Sequence, residues 1–238
     1  LRDDWHVLAL DLRGHGDSEW TNDGNYMIAD MVYDVAQLIH QLDVAPVTII
    51  AHSMGGQVCT RFAGTFPEMV RKLVAIEGLG IVTPATAARD ASYSQRPRQW
   101  VEDKRKAAGR QPRRYPTIEQ ALTRMKQENG YLSEEQARHL TLHGVNRNED
   151  GSFTWKFDPH VAVWSPAETS GPEIDQMWQA ITAPTLMLYG SDSFAVSPMK
   201  DGRIAHFPTA QLIEFENAGH WLHHDQFDRF IATVREFL

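Results

Sequence analysis

The chain has 238 residues, 42% of them hydrophobic and 23% charged, an ordinary balance for a domain with a sizeable core. Its formal net charge of −8 argues against nucleic acid or an anionic membrane surface as the main partner, and no apolar run approaches the roughly 20 residues that cross a bilayer. With a single cysteine, Cys59, an intramolecular disulfide is excluded and nothing points to an oxidising compartment, so a cytoplasmic location is expected.

The opening "LRDDWHVLAL" has neither a signal peptide's layout nor an initiator methionine, and the chain is expected to begin inside a longer protein. Val7 to Leu10 form a continuous apolar run, the pattern of a strand covered on both faces, followed by the glycine-rich loop "DLRGHGDSEW". Within Tyr26 to Leu42, the residues Ile28, Met31, Val32, Val35, Leu38, Ile39 and Leu42 mark one helical face. A strand at 47–51 passes almost at once into a helix that reaches about Phe66, with Pro67 beyond it. Further strands are predicted in "RKLVAIEGLG", ending near Glu77, in "TLMLYG" at 185–190 and in "AQLIEFENAGH" at 210–220, before a last helix over about 223–238. Alternating strands and helices of this kind give an α/β fold: a mostly parallel sheet flanked by helices.

Between Ile81 and Pro184 the alternation stops. Helical pieces are predicted at 117–129 and 133–142, the second opened by a capping box of Ser133 and Gln136. This stretch holds Trp100, Trp155, Trp164 and Trp178, and residues 89–114 carry nine Lys or Arg against three acids. It reads as an inserted helical cap over the carboxyl edge of the sheet, which divides the chain into a core of 1–81 and 185–238 and a cap of 82–184. The basic run reads as a solvated helix face, and His15 in "RGHG" as packing its own loop.

The stretch "TIIAHSMGGQ", residues 48–57, sets one hydroxyl between strand formers and glycines. Thr48, Ile49 and Ile50 are β-branched, while Val58, Cys59, Phe62 and Ala63 recur at helical spacing. A turn that tight strains its middle residue, Ser53, and requires small flanks, which Ala51 and Gly55 supply. The strained residue is exposed at the end of a strand and beside the start of a helix, the arrangement of a nucleophile elbow. The alternative reading of Ser53 is a helix N-cap. An elbow serine needs a base, and the base needs an orienting carboxylate. His220, in the glycine-containing loop "ENAGHWLHH" after the last strand, is placed to be that base, while His223 and His224 read as surface or packing residues. No carboxylate stands with these histidines at ligand spacing, so no metal is expected.

The motifs "DLRGHGDS", "AHSMGG", "FPEMVRKLVAIEGLG" and "NAGHWLHHDQFDRF" together resemble the α/β-hydrolase superfamily with a helical cap. The cap phrases "RRYPTIEQAL" and "TWKFDPHV" are similar to its serine-hydrolase-like members. The resemblance implies acyl transfer through an acyl-enzyme on Ser53 without a cofactor, with the Met54 N–H as an oxyanion donor. It also implies about three strands and a second oxyanion loop ahead of "DWHVLALD", which this chain lacks. The run at 6–11 and the strand at 47–51 are therefore expected to pair directly or to carry unpaired backbone groups. Ala51 replaces the family's usual glycine.

For the triad acid the resemblance offers two candidates. Asp192 follows the strand ending at Gly190, the commoner location, although the family's carboxylate stands three residues past the glycine and Asp192 only two. Glu77 ends the strand after the elbow helix, a location used by some dehalogenase relatives. Asp192 is placed first, because Ser191 and Ser193 suit a loop that holds a carboxylate by hydrogen bonds. His52, Trp155, Trp164, Trp178 and Trp221 are the candidates for lining the substrate pocket.

A serine at the elbow excludes the ester mechanism of aspartate-nucleophile dehalogenases and epoxide hydrolases. The leading function is hydrolysis of a carboxylic ester or related small-molecule acyl substrate. The alternatives are carbon–carbon bond hydrolysis, a cofactor-free haloperoxidase, or a non-catalytic binding protein on the same fold. The sequence leaves the oligomeric state open.

Overall fold

The computed structural model of the protein describes residues 1–80, 95–163, 165 and 171–238. In chain order the elements are α1 (Ile28–Leu42), β1 (Val47–His52), α2 (Met54–Thr65), β2 (Val70–Ile76), α3 (Gln95–Ala107), α4 (Ile118–Glu128), α5 (Glu134–Gly144), β3 (Val145–Arg147) and β4 (Phe153–Trp155). There follow α6 (Gly171–Gln179), β5 (Thr185–Gly190), α7 (Pro198–Asp201), β6 (Ala210–Phe215), α8 (Leu222–Asp225) and α9 (Phe227–Phe237). The described residues within 27–94 and 167–238 form one compact unit, and those within 1–26 and 95–166 another.

The first of these units is a parallel sheet in the order β1-β2-β5-β6 with helices about it. All six residues of β5 are buried, as the unbroken apolar run of a strand covered on both faces requires. Helix α1 buries Ile28, Met31, Val35 and Ile39, a stripe at spacings of three and four, and packs against α2. Helix α2 lies on β1 and β2 and also meets α6. At the far end, Lys72 of β2 donates to the carbonyls of Phe237 and Leu238, tying the end of α9 to the sheet. The last helical stretch is broken at Gln226, whose φ of −127° and ψ of 51° separate α8 from α9.

The second unit contains α3, α4, α5 and the β3–β4 hairpin. Thr117 caps α4, and Ser133 and Gln136 form both halves of a capping box at the start of α5. Tyr115, Ala121 and Val145 form a small core to which Ile118, Phe153 and Trp155 add. Residues 1–26 belong to this unit rather than to the sheet unit, and the residues after 166 belong to the sheet unit. The backbone explains the first boundary. The Asp158 N–H donates to the Gly14 carbonyl (2.8 Å) and the Gly16 N–H to the Lys156 carbonyl (2.7 Å). The Tyr26 hydroxyl donates to Asp158 Oδ2 (2.6 Å), and Lys104 binds the carbonyls of Asp23 and Gly24. The second follows from α6, whose packing on α2 puts Ile174 and Trp178 out of water.

The run at 6–11, expected as a strand, does not form one. Val7, Leu8 and Leu10 are exposed, and β1 stands at the edge of its sheet with β2 as its neighbour among the described residues. An apolar run becomes a strand only where a neighbouring strand takes up its N–H and C=O groups, and among the described residues no strand pairs with this run.

Close backbone approach fixes α2 against the end of β2. A Cβ built on Gly78 would lie 2.7 Å from Gly56 Cα, and one on Gly56 would overlap Gly78 Cα, so neither position accepts a side chain without backbone movement. Gly56→Ala is therefore expected to destabilise the protein by about 1–3 kcal/mol, which lowers the thermal midpoint by roughly 3–10 °C. Gly130→Ala, where a Cβ meets open space, should leave it within about 2 °C. Equal midpoints in thermal unfolding of the two variants would contradict this packing.

Candidate active site

The site is assembled at the carboxyl ends of three strands. The register of β1 on β2 sets His52 opposite Ile76, so the next residues, Ser53 and Glu77, leave neighbouring strand ends side by side. Both turn sharply, with φ of 52° at Ser53 and 47° at Glu77, a region that side-chain-bearing residues rarely adopt. Each is held there by a continued ladder: the Ser53 N–H donates to the Ile76 carbonyl (2.8 Å) and the Glu77 N–H to the Leu188 carbonyl (2.9 Å). Met54 opens α2 immediately after the serine, so its N–H is among the first helical donors that lack an intrahelical partner.

His220 reaches the same place from the loop after β6. Gly190, the last residue of β5, lies so close to the Ala218 and Gly219 carbonyls that a Cβ would overlap them. The Gly219 N–H donates to Asp225 Oδ2 (2.8 Å), anchoring the loop to α8. The imidazole then bridges the other two groups. Its Nε2 lies 2.9 Å from Ser53 Oγ, and its Nδ1 is hydrogen-bonded to Glu77 Oε2. The Glu77 side chain is fully buried, and two more donors serve its carboxylate: the Gly190 N–H on Oε1 (2.8 Å) and the Ser193 hydroxyl on Oε2 (2.6 Å). A carboxylate only accepts, so Nδ1 carries the imidazole proton and Nε2 is left to accept from Ser53. A strained serine at a strand–helix turn, an imidazole with its free nitrogen on the hydroxyl, and a buried carboxylate behind it can together make a nucleophile.

The sequence model for the alpha/beta hydrolase fold matches residues 1–227. The chain belongs to the alpha/beta hydrolase fold family. Over 240 residues it is 28% identical to the sn-1-specific diacylglycerol lipase ABHD11 of Mus musculus, covering 98% of this chain and 71% of the lipase. It is 26% identical to esterase Rv0045c of Mycobacterium tuberculosis over 239 residues, covering 98% of this chain and 74% of the esterase. Among solved structures, the hypothetical protein PA1622 from Pseudomonas aeruginosa superposes with a TM-score of 0.79 over 95% of this chain and 79% of its own, at 22% identity.

In this alpha/beta hydrolase the carboxylate on His220 is that of Glu77, not of Asp192, which the sequence placed first. Asp192 is exposed, its carboxylate accepts from the Ser191 hydroxyl (2.8 Å), and its N–H donates to the Ala218 carbonyl (3.0 Å). The loop after β5 does hold a carboxylate by hydrogen bonds, but one delivered from β2. The signal was present in the sequence: Ser193 stands three residues past Gly190 and carries no acid.

The residues proposed for the pocket are placed differently from one another. Trp178 is 6% exposed and stacks on Phe207 with ring centroids 5.0 Å apart, so it is a core residue of the sheet unit. Trp155 packs edge-on against Tyr115 in the small core of the other unit, while Trp164 lies outside the described residues. His52 packs against the His220 loop: its Nε2 lies 2.7 Å from the His220 carbonyl oxygen, with its ring between those of His220 and His223, 4.6 Å from each. Trp221 meets the His52 ring edge-on at 6.2 Å. Phe194 was not anticipated from the sequence. Its ring lies 4.5 Å from that of His220 while remaining 62% exposed. Among the described residues no group of three or more His, Cys, Asp or Glu is arranged to hold a metal ion, and no helix is long and apolar enough to cross a membrane.

Removal from water, followed by the neighbouring His220, lowers the pKa of His52 to about 4. Burial and then the charge of His52 lower His223 to about 3. Both are neutral in the folded protein where the unfolded chain, at about 6.5, binds protons. Their contribution to stability is complete above pH 6.5 and is lost as pH falls toward about 4 for His52 and about 3 for His223. Each contributes a slope of up to about 1.4 kcal/mol per pH unit within its window. Denaturant unfolding between pH 7.5 and 4 should show stability falling on the acid side, less steeply in His52→Gln. An identical pH dependence in that variant would contradict the assignment.

Proposed function

We propose that the protein hydrolyses carboxylic esters through an acyl-enzyme on Ser53. The observation that carries this reading is the hydrogen-bonded series Ser53–His220–Glu77 at the carboxyl ends of the strands. The names of the similar proteins, a diacylglycerol lipase and an esterase, support the ester as substrate class. Exposed apolar Phe194 beside the imidazole supports an apolar acyl or alkoxy group.

In this reading His220 Nε2 takes the Ser53 proton as Oγ attacks the ester carbonyl, and the electron pair of the C=O bond moves to its oxygen. The Met54 N–H donates to that oxyanion. Collapse of the tetrahedral intermediate expels the alkoxide, which leaves with the proton from His220 and gives the acyl-Ser53 ester. A water then gives a proton to Nε2, attacks the acyl carbon, and releases the carboxylic acid with Ser53 restored. Glu77 holds Nδ1–H throughout, fixing the tautomer and offsetting the imidazolium charge.

Steady-state hydrolysis of p-nitrophenyl esters tests these roles. Ser53→Ala should abolish turnover and labelling by a fluorophosphonate. Glu77→Gln should lower kcat by about 10³- to 10⁴-fold, whereas Asp192→Asn should lower it by less than about tenfold. The reverse order of the two carboxylate variants, or labelling that survives in Ser53→Ala, would refute the assignment.

A further inference from the structure

The loop after β5 touches both the acid and the base. The Ser193 hydroxyl is committed in both directions: its oxygen accepts the Ala195 N–H (3.0 Å), and its proton goes to Glu77 Oε2 (2.6 Å). That oxygen is the one bonded to His220 Nδ1. The Gly190 N–H meanwhile fixes Oε1 (2.8 Å), so the carboxylate is held at both oxygens by residues of β5 and the loop after it, although Glu77 belongs to the end of β2. The next residue, Phe194, sets its ring 4.5 Å from the imidazole.

We infer that Ser193 is a positioning residue: its hydroxyl fixes the rotation of the Glu77 carboxylate so that Oε2 meets His220 Nδ1. This rests on the acyl-enzyme reading above. The physical reason lies in the burial of Glu77. A carboxylate out of water takes the orientation that satisfies its oxygens, and with Ser193 removed Oε2 keeps one donor instead of two. The carboxylate then keeps the Gly190 N–H on Oε1 and, on Oε2, only the imidazole it is meant to orient, so no fixed donor sets the direction of Oε2. The imidazole it holds loses its fixed direction toward Ser53 Oγ, and a misdirected base acts on the chemical step rather than on substrate binding.

The test is ester hydrolysis by the full chain in a double-mutant cycle. Ser193→Ala should lower kcat by about 10- to 100-fold with KM unchanged, and Ser193→Thr, which restores a hydroxyl, should return kcat to within about threefold of the wild type. In a Glu77→Gln background, Ser193→Ala should cost less than about twofold, because the interaction it serves is already lost. Ser193→Cys, near-isosteric with a weaker donor, should fall between wild type and Ala, and serves where the Ala variant does not fold. A wild-type kcat in Ser193→Ala or Ser193→Cys overturns the inference. So does a loss of the same size with and without Glu77, which is the mark of a purely structural hydroxyl. A wild-type protein that neither hydrolyses esters nor reacts with a fluorophosphonate defeats the reading beneath it, whereas an active wild type indifferent to Ser193 defeats this inference alone.

Discussion

The arrangement depends on one buried carboxylate. Glu77 has no access to solvent, and an ionised group so placed persists only if its oxygens are satisfied within the protein. Three donors satisfy it, and they come from β5, the loop after β5, and the loop after β6. The requirement to serve Glu77 thus gathers the end of β2, the end of β5 with the loop after it, and the loop after β6 to one point. The price in backbone strain is visible at Glu77 itself, whose positive φ turns its side chain off the end of β2.

Packing makes that convergence possible. Glycines stand where segments must touch: Gly56 against Gly78 sets the start of α2 on the turn that carries Glu77, and Gly190 admits the carbonyls of the His220 loop. His52, one residue before the serine, holds the backbone of His220 through its Nε2. Its depressed pKa keeps it neutral, so it does not compete with the neighbouring His220 for a positive charge.

Much of this was legible in the sequence. The helical stripe of α1, the apolar run of β5 and the capping box of Ser133 and Gln136 are local patterns, and each formed as its spacing requires. The strain at Ser53 followed from a strand meeting a helix without a loop. Other features are long-range and are decided by tertiary contacts. Asp192 follows β5 and Glu77 follows β2, and although the spacing past Gly190 speaks against Asp192, it is the facing of side chains across β2 and β5 that separates them. The run at 6–11 carries a strand's composition but has no strand beside it among the described residues. Trp155 and Trp178 joined separate cores because a large apolar ring looks the same in sequence whether it lines a pocket or fills an interior.

The bond between His220 Nδ1 and Glu77 Oε2 is the central claim, and proton NMR of the resting protein reads it most directly. The imidazole Nδ1–H of His220 should resonate far downfield of an ordinary histidine N–H, vanish from that region in Glu77→Gln, and persist in Asp192→Asn. A low-field proton that survives the loss of Glu77 and disappears with Asp192 would contradict the account.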